Sequence, residues 1–181
     1  MERLCIGRWE ISPPPERSGA RKSDGFIRLD SNENVYGPTA KVANAISSAT
    51  GLVNRYPFTR YDEVTEYIAA FHRVKPEQVL FACGSTEILR VTACAFLGTG
   101  KHLIQASPTF EALEHYAKSV GSEVVSLPLD RTLAHDLGAM LARAGASTGL
   151  IYICNPNNPT ASVTPRDGIE TFISRLPATG W

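Results

Sequence analysis

Neither sign of charge is in excess in this sequence. Eighteen Lys and Arg balance eighteen Asp and Glu, so no electrostatic case exists for nucleic acid or an anionic membrane as partner. Cysteine is scarce. The four thiols, Cys5, Cys83, Cys94 and Cys154, include no Cys-x-x-Cys pair, which excludes a spelled zinc knuckle or redox motif. Scattered thiols fit a reducing compartment. Long apolar runs are missing too: nothing approaches the ~20 residues that span a bilayer. Near the start only Leu4 to Ile6 is apolar, too short for a signal-peptide core. The expectation is a soluble, cytoplasmic protein. The four histidines, His72, His102, His115 and His135, form no His-x-x-x-His pair, so no metal site is expected.

What is present is the composition of a globular domain: 43% hydrophobic, 20% charged, over 181 residues. Residues 1–28 are polar, include Pro13-Pro14-Pro15 and are expected to form a mobile arm before one domain over 29–181. Tyr61 to His72 places Val64, Tyr67, Ile68 and Phe71 at helical spacing. Four short apolar runs then alternate with helical patterns: Val79–Cys83, His102–Ala106, Glu123–Leu127 and Leu150–Cys154. Helices are expected from Gly84 to Leu97, around Phe110–Val120, around His135–Ala144, and from a Thr164-Pro165 start to about Leu176. Strands that are apolar throughout, separated by helices, predict an α/β fold with a mostly parallel sheet covered on both faces. Ligands of such sheets sit beyond the carboxyl ends of the strands.

Two stretches stand at such ends. "CGSTE", Cys83 to Glu87, is a strand end, a Gly, two hydroxyl residues and a helix start. Free N–H groups and the helix dipole make it an anion site, although an ordinary helix cap explains the same residues. "NPNNPT", Asn155 to Thr160, packs three Asn and two Pro where a turn needs one or two such residues. Phe110, just past the second run, is either core or a plate for a flat ligand. "GTGKH", Gly98 to His102, lacks the Gly and the Ser or Thr of a P-loop and is expected to be a plain turn. Glu63/Glu66 and Glu111/Glu114 read as solvated helix faces.

"LDSNENVYGP" (Leu29 to Pro38), "NRYP" (Asn54 to Pro57), "PEQVLFACGSTEIL" (Pro76 to Leu89), "SPTF" (Ser107 to Phe110) and "CNPNNPTA" (Cys154 to Ala161) occur in one order. In that order the chain resembles the histidinol-phosphate aminotransferases, fold-type I enzymes that use pyridoxal 5′-phosphate (PLP). The resemblance implies an aspartate-aminotransferase-like large domain. It implies amino-group transfer between histidinol phosphate and 2-oxoglutarate in histidine biosynthesis, by a homodimer. By resemblance, Ser85 and Thr86 hold the PLP phosphate, Phe110 stacks on the pyridine ring and Asn158 hydrogen-bonds the ring oxygen. Tyr56 reaches the PLP phosphate of the neighbouring subunit, and Tyr36 approaches the substrate. The family commonly has Pro where Val35 stands and Gly where Ala161 stands. The family's Schiff-base Lys matches none of Lys22, Lys41, Lys75, Lys101 and Lys118, and the acid that faces the pyridinium nitrogen has no counterpart either. The implied reading is an N-terminal, incomplete part of the large domain, inactive by itself. A related aminotransferase, a PLP-dependent decarboxylase and a non-catalytic remnant stay open as alternatives.

Overall fold

The computed structural model describes residues 31–34 and 36–177. The expected arm, Cys5, Lys22 and Val35 lie outside the described residues. The chain divides into two compact units between Tyr56 and Pro57.

In the first unit, α1 spans Ala40–Ala49, capped by Thr39, whose hydroxyl accepts from the Val42 N–H at 3.4 Å. A 3-10 turn, Thr50–Leu52, follows.

The second unit is an alternation of helices and strands: α2 Phe58–His72, α3 Ser85–Phe96, β1 His102–Ser107, α4 Ala112–Ser119, β2 Glu123–Pro128, α5 Leu137–Arg143, β3 Thr148–Tyr152 and α6 Arg166–Ser174. Arg73 ends α2 in the left-handed conformation, its N–H donating to the Ala69 and Ala70 carbonyls. The three strands are parallel, in the order β2-β1-β3. The chain therefore leaves β1 for one side, through α4 to β2, and returns through α5 to the other side as β3. A sheet wound this way has its switch point between β1 and β3, where a crevice opens at the carboxyl ends.

Side chains of β1 alternate between two cores. Leu103 packs with Ala93 of α3 and Leu113 and Ala117 of α4; Ile104 packs with Met140 of α5 and Phe172 of α6. The buried runs of β1 thus face helices on both sides, as apolar runs predict. One inward position is polar. Gln105 is 1% exposed; its amide donates to Glu114 Oε2 at 2.5 Å and to Ser126 Oγ at 3.4 Å, while its Oε1 has no partner.

Lys118, 2.6 Å from Glu114 one turn away, holds that carboxyl below the usual range, and the Gln105 amide adds to this. A depressed carboxyl stabilises the fold fully above its unfolded value and loses that contribution as pH falls through the native one. Glu114→Gln is therefore expected to flatten the loss of stability between about pH 5 and pH 3. Urea midpoints that fall equally steeply in both proteins would refute this.

Gly149 lies in a β-bulge: His102 pairs with Thr148 but Leu103 with Leu150. A Cβ there would meet the Phe96 carbonyl oxygen at 2.5 Å.

Two expectations need correction. Val79–Cys83 is not a strand: among the described residues no strand pairs with it, and Leu80 is 69% exposed. An apolar run marks a segment suited to a sheet; it does not supply the neighbour that hydrogen-bonds it. Thr164 does not cap α6. The residue before that helix is Pro165, and the buried Thr164 hydroxyl has no partner. The remaining elements agree with expectation to within a few residues at their ends.

The apolar side chains of α2 are largely uncovered in the described structure: Phe58, Tyr67 and Phe71 are each more than 70% exposed. A surface of this kind favours association. The isolated chain is expected to self-associate as its concentration rises; a clean monomer by light scattering at every concentration would contradict that. Among the described residues no helix is long and apolar enough to cross a membrane.

Candidate functional site

The sequence stretch Cys83 to Glu87 becomes a helix start of one kind. Gly84 precedes α3 at φ 81°, a conformation that favours glycine. No side chain caps the helix. Ser85 and Thr86 are its first two residues, exposed, with hydroxyls that bond to nothing in the described chain. Glu87 turns back, accepting from the Cys83 N–H at 2.6 Å. The unsatisfied N–H groups of the first turn and two hydroxyl donors thus face outward at the positive end of the helix dipole.

Topology brings this helix start to the carboxyl end of the sheet. α3 runs into the turn at Gly98–Lys101 and then β1, so its other end lies at the strands' carboxyl ends. α4 leaves β1 at that same end. The two helices pack on one face, and Leu89, early in α3, joins the cluster that holds Leu113 from the first turn of α4. Phe110, half-buried, stands just before α4. The Gly98–Lys101 turn is plain, as expected. Ser122 bonds the Gly98 and Lys101 carbonyls there, at 3.1 and 2.7 Å.

Three loops meet at the carboxyl ends. Asn157, 2% exposed, joins two of them. Its Oδ1 accepts from the Thr109 hydroxyl at 2.7 Å; its Nδ2 donates to the Pro108 carbonyl at 3.1 Å and to Thr160 Oγ1 at 2.8 Å. Thr160 and Ser162 both reach the Leu133 carbonyl in the loop after β2. Asp130 shapes that loop, its carboxylate held below the usual range by the Thr132 hydroxyl and by the N–H groups of Ala134 and Thr132. Asn158 is half-buried beside Asn157. Cis peptide bonds precede Pro108, Pro156 and Pro159. Ala161, where relatives were expected to carry Gly, sits at φ 57°, the left-handed region. That is a conformation glycine adopts without strain and alanine rarely does.

Around these loops, His135 is 3% exposed; its Nε2 faces the Cys154 carbonyl at 2.9 Å and its Nδ1 has no partner. It is thus a core histidine satisfied on one side. Burial, with the Cys154 thiol, pushes the Tyr152 phenol well above its usual range. Cys83 and Cys94 are exposed and Cys154 is partly covered.

Phe110 and Asn158 thus stand on adjoining loops, and Ser85 and Thr86 open a neighbouring helix at the same end. A cleft of about 560 Å³ beside Cys83 and Glu87 is lined also by Tyr61, Val64 and Phe81; a smaller one of about 490 Å³ holds Phe110. Tyr36 and Tyr56 belong to the first unit and are 93% and 85% exposed. Sequence reasoning missed Asn157 and Thr109. The Asn doublet was visible, but nothing local says that one amide turns inward to the loop after β1.

Residues 24–181 match the family model for aminotransferase class I and II. The chain is 35% identical over 178 residues to an aromatic amino acid aminotransferase of Mycobacterium sp. (strain KMS), covering 94% of this chain and 49% of that protein. It is 34% identical over 152 residues to histidinol-phosphate aminotransferase 1 of Bacillus cereus, covering 84% and 41%. It thus spans about half the length of the curated relatives it matches. A crystal structure from Erwinia carotovora atroseptica, provisionally assigned as a histidinol-phosphate aminotransferase, superposes with a TM-score of 0.79 at 31% identity over 84% of this chain and 45% of that one. The histidinol-phosphate aminotransferase of Sinorhizobium meliloti, solved with pyridoxal-5′-phosphate, shares the fold at a TM-score of 0.75 and 23% identity, over 81% and 40%. With a family match over most of its length and a fold that superposes on these structures, the chain belongs to the class I and II aminotransferases.

Proposed function

We propose that this chain supplies the PLP-holding part of an aminotransferase of the histidinol-phosphate type, which moves an amino group between histidinol phosphate and 2-oxoglutarate. The observation that carries the reading is the joining of the Phe110 and Asn158 loops through Asn157, at the end of the sheet where α3 begins uncapped. The donor set fits the cofactor's three chemistries. Ser85, Thr86 and the first-turn N–H groups suit a dianionic phosphate. Phe110 offers a flat apolar plate for the pyridine ring. The Asn158 amide donates to the ring oxygen without adding charge. PLP, when bound, supplies the electron sink for amino transfer. Tyr56 would serve the phosphate of a neighbouring subunit's cofactor in a homodimer, and Tyr36 the substrate.

None of this chain's lysines is proposed to bond the cofactor. Lys101 precedes β1 and reaches the Ala146 carbonyl at 3.3 Å, at the sheet's amino end. Lys118, in the last turn of α4, is bound to Glu114. A second reading, an aromatic amino acid donor, is favoured by the 35% identity to the Mycobacterium protein.

The test treats the chain with PLP, reduces with borohydride, maps the labelled peptides and assays amino transfer. Saturable PLP binding is expected, without stoichiometric labelling of any lysine and without turnover. One lysine labelled in full together with turnover would overturn the lysine assignment; absence of saturable binding would overturn the cofactor reading. Thermal shifts of the PLP-treated chain separate the substrates. Histidinol phosphate is expected to raise the midpoint more than phenylalanine, and the reverse order would favour the aromatic donor.

A further inference from the structure

We infer that Asn157 is a positioning residue, whose buried carboxamide clamps the turn after β1 to the loop after β3 and so sets Phe110 and Asn158 against each other. This rests on the cofactor reading above for its purpose, though not for its geometry. Asn157 uses every polar group it has. Besides the three side-chain bonds to Thr109, Pro108 and Thr160, its N–H donates to the Ser162 carbonyl at 2.8 Å and its carbonyl accepts from the Ala161 N–H at 2.7 Å. Two of the side-chain partners lie 48 and 49 residues away.

The chemistry demands an amide. The surroundings offer one hydroxyl donor, from Thr109, and two acceptors, the Pro108 carbonyl and Thr160 Oγ1. A carboxamide has one acceptor oxygen and two N–H donors and matches all three. Asp would keep the first bond and lose the other two. Leu, of similar volume, would lose all three and leave the Thr109 hydroxyl and the Pro108 carbonyl unpaired in a site where Asn157 is 2% exposed. The clamp grips directly beside the two residues that matter: Thr109 is bonded to Phe110, and Asn157 to Asn158. Beyond Asn157, Thr160 carries the network to the Leu133 carbonyl and the third loop. Misplacing such groups by about 1 Å is enough to weaken a preorganised site.

The test combines hydrogen exchange of the apoprotein with PLP affinity. Asn157→Leu is expected to lower protection about tenfold at 107–111 and at 155–162 together, and to weaken PLP binding about tenfold or more, the worth of one good hydrogen bond to a charged group. Because Asn157 acts through both Phe110 and Asn158, adding Asn157→Leu to the double variant Phe110→Ala/Asn158→Ala should weaken PLP binding no further. Thr109→Val should reproduce the exchange effect at both loops, and Thr109→Ser, which keeps the hydroxyl, should restore protection and affinity. Exchange that changes only at 155–162, or PLP affinity in Asn157→Leu equal to wild type, overturns the clamp. A wild-type chain that binds no PLP overturns the cofactor reading, and the clamp then stands or falls on whether both loops lose protection together.

Discussion

Gly149→Ala is expected to cost about 2–3 kcal/mol of folding stability, the upper range for forcing an atom into a filled site. An alanine Cβ would lie 2.5 Å from the Phe96 carbonyl oxygen, 2.9 Å from Leu97 Cδ2 and 3.3 Å from Lys101 Cβ. The nearest obstacle is backbone, from the last residue of α3, so no rotamer change removes it. Either the bulge in β3 or the seat of α3 on the sheet must move, and both border the core around Ala93 and Leu103. The usual entropic benefit of Gly→Ala, about 0.4–1 kcal/mol, is too small to offset the clash. Gly145→Ala is the control: nothing lies within 4 Å of its added Cβ, and it should be neutral to mildly stabilising, by up to about 1 kcal/mol. A shift of several degrees in the melting midpoint is expected for Gly149→Ala. Equal urea midpoints for the two variants would show that α3 is not seated as described.

Replacing both Ser85 and Thr86 by Ala is expected to weaken PLP binding about 100-fold or more, while leaving the fold intact. Each hydroxyl donating to a phosphate is worth about 1.5–3 kcal/mol, and tenfold in affinity is about 1.4. Neither side chain is buried and neither hydroxyl bonds to anything in the described chain, so stability should barely change. The backbone N–H groups of the first turn remain, which is why some affinity should survive. Inorganic phosphate should compete with PLP on the wild-type chain and much less on the double variant. Unchanged PLP affinity in the variant would remove the phosphate from this helix start.

The elements of the second unit were legible wherever the signal is local. The runs at 102–106 and 123–127 marked β1 and β2, because each carries adjacent apolar residues, Leu103-Ile104 and Val124-Val125, of which the β1 pair is buried against helices on both faces. The helices between them showed the 3.6-residue spacing of a one-sided stripe. Gln105 is the exception inside β1: its burial depends on Glu114 and Ser126 arriving from α4 and β2. Val79–Cys83 failed for the opposite reason, since its composition suits a strand while the described chain presents no neighbour to pair with. Thr164 failed because a hydroxyl before a helix competes with other uses of the same turn. Here the Thr164 backbone is bonded to Asn155 through its N–H and carbonyl, and Pro165 takes the cap position.

By itself the sequence determined the class of fold, the order of its motifs and the kinds of groups that stand at the strand ends. Residue type and spacing dictate local conformation and burial, and these follow from the chain's own chemistry. Only the tertiary structure decided which of two adjacent asparagines turns inward. It also decided that Thr109 meets an amide 48 residues away, and that Gly149 is needed where α3 crosses a bulge. Those outcomes depend on the winding of β1, β2 and β3 and on which backbone passes within hydrogen-bonding or van der Waals reach, and neither is a property of any short stretch of chain.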